Sequence, residues 1–114
     1  MPPTSPSPAL ARIAERFSAR LPARLDEMDT AAAAVAAGNE TGALAELERI
    51  LHDLAGTAPV LGYDELGALA RSGEDMVVCI RVSATRPADE SIEKLRAHLR
   101  RLRHVAKQER AEGQ

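Results

Sequence analysis

Apolar residues in the first third of the chain recur at Leu10, Ile13, Phe17, Leu21, Leu25, Met28, Ala32 and Val35. The steps are three or four residues throughout, the spacing that lines side chains along one face of an α-helix. Pro22 falls inside this run. Proline removes one backbone donor and disfavours helix at the preceding residue, so the stretch is predicted either as two helices broken near Leu21 or as one helix kinked there. The phase of the stripe survives the proline, and the same face is buried in both cases. Ala31 to Ala37 strongly favours helix, and Gly38-Asn39 supplies a stop.

A second stripe runs Leu44, Leu47, Leu51, Leu54, Ala58 and Leu61, predicting a helix from Ala43 to Leu61 with Thr41 as its N-cap. After Gly62 a third comprises Leu66, Leu69, Ala70, Gly73, Met76, Val77 and Ile80, with Asp64 as N-cap. Met76 to Val82 is β-branched enough to form a short strand, but no second strand-like run exists to pair with it. Ser83 to Ala88 reads as a loop, and Asp89 or Ser91 caps a last helix carrying Ile92, Leu95, Leu99 and Leu102. Four long amphipathic segments with short connections predict an all-α protein, an antiparallel four-helix bundle.

Composition agrees with that reading. Aromatic residues make up only 2% of the 114, and leucine with alanine carries the apolar content, which suits helix packing better than sheets. The length is that of one domain, read as residues 9–110 between a flexible N-terminal tail (1–8, with four prolines) and a short C-terminal tail (111–114). The N-terminal residues show neither a basic-then-apolar signal nor a spanning segment, and Cys79, the one cysteine, allows no internal disulfide. These features predict a cytoplasmic protein with a buried, reduced thiol. The formal charge of −2 and pI near 5.9 provide no general attraction to nucleic acid or acidic membranes.

His52 rides on the second predicted helix, well over a right angle from its leucine stripe, and so faces water. Around it lie Glu48 and Arg49 one turn before, Ala55 and Gly56 one turn after, and Pro59 beyond. Glycine costs about 0.5–1 kcal/mol in a helix interior relative to alanine. Gly56, four residues after His52 on the same face, is explained if it keeps the approach to the imidazole open. An imidazole titrates near pH 6.5 in water, so around neutrality it offers a nucleophilic nitrogen. His98 and His104 sit six residues apart, about 240° around a helix, and cannot grip one metal ion together; His52 with Asp53 is no better. They read as surface histidines, and no metal or cofactor site is predicted. Neither a Gly-x-Ser-x-Gly elbow nor a glycine-rich phosphate cradle occurs.

His52-x-Leu54-x-Gly56, followed by Gly62, Leu66 and Leu69, resembles the signature of the histidine-containing phosphotransfer (HPt) domain over roughly residues 10 to 80. Members of that family are small helical bundles that take a phosphoryl group from the aspartate of one receiver domain and pass it to another in bacterial and plant phosphorelays. The resemblance implies that His52 is the phosphoacceptor, that receiver domains of response regulators or hybrid kinases are the partners, and that the receiver brings the metal ion the transfer needs. It also implies a monomeric carrier without catalytic activity of its own. The family motif carries a lysine three residues after the histidine, where this chain has Ala55. Arg49, about 60° around the wheel from His52, and Arg71 on the next helix are the cations left to take that role.

Between Ser91 and Glu112 seven basic residues face three acidic ones. This reads as the solvated outer face of the last helix, or as a docking surface for an acidic receiver; nucleic-acid binding lacks the stacking aromatics it would need. Two other classes compete with the carrier. His-Asp-Leu followed by Thr57 and Pro59 faintly resembles the phosphoacceptor box of a histidine-kinase dimerisation helix pair, though no ATP-binding domain accompanies it. Alternatively the bundle is a helical interaction module in which His52 is an ordinary exposed residue.

Overall fold

The computed structural model describes residues 7–38, 40–83 and 88–112. Four helices account for nearly all of them: α1 (Pro8–Ala36), α2 (Glu40–Thr57), α3 (Asp64–Val82) and α4 (Asp89–Glu112), with a single 3-10 turn, Pro59–Leu61, between α2 and α3. Each helix packs on the next and α4 closes on α1, giving an all-α bundle 57 Å long and 20 Å across. Its core is the predicted stripes brought together: Leu21, Met28, Leu47, Leu51, Leu66, Leu95, Leu99 and Leu102 are all at most 2% exposed. Burying one such side chain contributes roughly 1.5–3 kcal/mol before entropy is counted against it.

Several boundaries differ from the sequence expectation. Pro8 is helical, in the first turn where a missing N–H costs nothing, and Ser7 caps the helix by accepting from the Leu10 N–H at 3.1 Å; the rest of the expected tail lies outside the described residues. Pro22 sits within one uninterrupted helix. The carbonyl it deprives of an intrahelical partner is that of Ser18, and the Arg110 guanidinium of α4 donates to that same oxygen at 2.9 Å. Gly38 adopts φ 95° at the end of α1, as a stop requires; Asn39 is outside the described residues.

The second helix begins at Glu40, so Thr41 lies inside it and is not its cap, and it ends at Thr57 rather than Leu61. Pro59 is the reason, since without an N–H it cannot continue the ladder. The chain bends after Ala58 into the 3-10 turn, which Gly62 closes at φ 94°. Tyr63, not Asp64, is the N-cap residue of α3, and Asp64 and Glu65 occupy its first turn. Asp89 likewise starts α4 instead of capping it. Met76 to Val82 is helical throughout. Of the expected loop at 83–88 only the two end residues are described.

Two burial expectations need correction. Cys79 is exposed, because it stands two residues from the buried Val77 and so about 200° around α3 from the core. Ile13 is 49% exposed. It lines an open groove between α1 and the end of α2, with Leu54, Thr57 and Leu61 on the other wall, rather than packing into the core.

Candidate functional site

His52 stands on the outer rim of the seam between α2 and α3, its side chain 73% exposed. Leucines on the buried face of α2 fix where that rim points: Leu47, Leu51 and Leu54 are in the core, and the histidine is turned away from them. Its Nδ1 lies 2.8 Å from Glu74 Oε2 on α3. An ionised carboxylate only accepts hydrogen bonds, so Nδ1–H donates, and a neutral ring held this way carries its lone pair on Nε2. The ring is thus open to solvent and held in orientation from the neighbouring helix.

Sequence reasoning misses Glu74. It comes 22 residues after His52, and only the packing of α3 on α2 brings it there. The available signal is its place beside the apolar stripe, four after the buried Ala70 and three before the buried Val77, where a carboxylate must find a partner at the helix seam.

Antiparallel packing sets the rest of the seam. Glu48 pairs with Arg81 at 2.8 Å, Leu51 lies against Gly73, and Pro59 against Gly67. A Cβ on Gly67 would overlap the Pro59 ring, whereas one on Gly56 would meet nothing within 4 Å. The space beside His52 is therefore open, consistent with the clearance assigned to Gly56. That glycine belongs to the last turn of α2 rather than to a helix interior.

Ala55 does not face a partner. It is 7% exposed and part of the core, since it lies nearer to the Leu51, Leu54 and Ala58 side of the helix than His52 does. Pro59 and Arg71 are exposed. Arg49 is exposed too, but its guanidinium is held by Glu46 at 2.6 Å and lies 3.7 Å from Asp53. The hydrogen bond from Arg49 holds the Glu46 carboxyl below its ordinary range. Asp53 also takes Arg24 of α1 at 3.1 Å.

The other histidines divide. His104 is exposed, but His98 is half-buried, its Nε2 2.8 Å from the Leu69 carbonyl oxygen, so it ties α4 to α3. Among the described residues no group of three or more His, Cys, Asp or Glu is placed to hold a metal ion, and no helix is long and apolar enough to cross a membrane. The helix that carries the basic run, α4, packs on α3 and α1 and so lies across the bundle from α2 and His52. Arg103 is clasped by Asp26 and Asp29; its hydrogen bond to Asp26, with Asp29 adding to it, raises the guanidinium pKa further.

No curated protein and no solved structure matches the chain at a significant level. The family model described as Hpt domain matches residues 12–105. That span takes in all of α2 and α3 and most of α1 and α4, so that an exposed histidine at the seam of a four-helix bundle and the family model point the same way: the chain belongs to the Hpt domain family, helical phosphocarrier modules of two-component relays.

Proposed function

We propose that His52 is the phosphoacceptor of a phosphorelay carrier that takes its phosphoryl group from a receiver-domain aspartate and hands it to another receiver. The observation that carries this reading is the exposed ring whose Nδ1 meets Glu74 at 2.8 Å. In the transfer, the Nε2 lone pair attacks phosphorus of the aspartyl phosphate. The N–P bond forms as the P–O bond to the aspartate breaks, and the carboxylate leaves with the electron pair. The Nδ1 proton stays on the ring and donates to Glu74, so the positive character the ring gains is offset by a carboxylate at hydrogen-bond distance. The return transfer is the same step reversed.

The bundle's part is positioning, which suffices when the partner supplies the charge stabilisation for the moving phosphoryl group. Gly56 leaves room for the receiver to come close. On the α1 flank of α2, a groove of about 590 Å³ is lined by Phe17, Leu54 and Leu61 together with Arg16, Arg20, Glu27 and Asp53, an apolar surface with charges of both signs around it. The carrier reading makes the chain a monomer of the cytoplasm without catalytic activity of its own.

The test is phosphotransfer from phosphorylated receivers of the same cell. Wild type should gain an acid-labile, alkali-stable phosphate, and His52→Gln should gain none while keeping its helical spectrum. Label retained in that variant, or found on His98 or His104, refutes the assignment.

A further inference from the structure

Phosphorylating His52 sets nearly two negative charges beside Glu74, with Asp53 and Glu48 on the same stretch of α2. Such a group needs a cation close by, and four arginines stand on the helices around it, Arg24 on α1, Arg49 on α2, and Arg71 and Arg81 on α3. Three are already engaged: Arg49 with Glu46 and Asp53, Arg24 with Asp53 and Glu27, and Arg81 with Glu48. Arg71 is exposed and, among the described residues, forms no ion pair.

Its place follows from the helix seam. On α3, Gly67 faces Pro59 and Glu74 faces His52. Arg71 comes four residues after the first and three before the second, so it shares their side of α3. It therefore stands opposite the stretch of α2 between His52 and Pro59, where Ala55 is too short to intervene and Gly56 leaves open space.

We infer that Arg71 is the positioning cation of the phosphorylated state, reaching over Ala55 and Gly56 to the phosphoryl oxygens on His52. The inference rests on His52 being the phosphoacceptor. Arg71 has no ion-pair partner to give up, whereas recruiting Arg49 would break its contacts with two carboxylates. A guanidinium also offers two parallel donors to a phosphoryl group.

The experiment loads the protein with phosphoramidate, whose P–N bond breaks as His52 Nε2 bonds to phosphorus and ammonia leaves, so no receiver is required. Protonation of the phosphoryl group is then followed by its ³¹P shift against pH. A nearby cation favours the dianion, so Arg71→Ala should raise the titration midpoint, a change of about two- to fivefold in the protonation constant for an exposed pair. Arg71→Lys should restore most of it, and Arg100→Ala on the far face of α4 should leave it unmoved. A midpoint unchanged in Arg71→Ala, or one that moves with Arg49→Ala instead, overturns the inference and leaves the carrier reading standing. A wild type that takes up no phosphate on His52 overturns the carrier reading and this inference with it.

Discussion

Gly56 and Gly67 are both helical glycines near the His52 seam, and the space around each gives them opposite roles. A methyl group at position 56 meets nothing within 4 Å, so Gly56→Ala removes glycine's entropic cost and should stabilise the fold. The gain is at most about 1 kcal/mol, and smaller if the last turn of α2 frays. A methyl group at position 67 collides with the Pro59 ring, which is stiff, so Gly67→Ala should destabilise by about 1–3 kcal/mol. Urea unfolding of the two variants checks the contrast; equal effects would mean that the close approach of α3 to the 3-10 turn is not tight. Gly56→Gln carries the functional half of the argument: it should fold normally and slow phosphotransfer from a receiver, and a wild-type rate would remove the case for clearance.

At the scale of elements, the last turns of α4 repair two defects left by the others. The N-terminus of α3 lacks a side-chain cap of its own, and Glu109 supplies one from α4, accepting the Leu66 N–H at 2.7 Å and the Glu65 N–H at 3.2 Å. Pro22 orphans the Ser18 carbonyl in α1, and Arg110 donates to it at 2.9 Å. If the second repair is what lets α1 continue through its proline, the two residues are coupled. Arg110→Ala should cost about 1–3 kcal/mol in the natural background, and clearly less in a Pro22→Ala background, where the substituted residue regains a backbone N–H that can serve the carbonyl. A double-mutant cycle measured by thermal or urea unfolding reads the difference; strict additivity would show that Arg110 acts elsewhere.

For the whole molecule, the question is what remains outside once the four stripes have met. Among the described residues the large apolar side chains left exposed are Ile13, Val60 and Val82, with Ile13 near the start of α1, Val60 in the 3-10 turn and Val82 at the end of α3. They make no patch of the size a stable dimer buries. Sedimentation equilibrium should therefore return a single species of 12.2 kDa. A dimer would favour the kinase-type helix pair, since that architecture completes its bundle with a second copy.

Much of this was legible in the order of residues. Stripes at Leu44 to Ala58 and Leu66 to Ile80 dictated helices, because a period of three and four has only one way to bury its apolar side, and the same periodicity put His52 on the opposite face. Local chemistry placed the stop of the first helix at Gly38. What periodicity within one helix cannot express is register between helices. That Glu74 meets His52, that Arg49 turns to Glu46 and Asp53, that Arg71 stands opposite Ala55, and that Ala55 is buried all depend on how α3 lies against α2. Pro22 shows the same limit: the donor that meets the carbonyl it leaves unpaired is Arg110 in the last helix, because a lost backbone hydrogen bond can be replaced by any donor that the packed fold brings within reach.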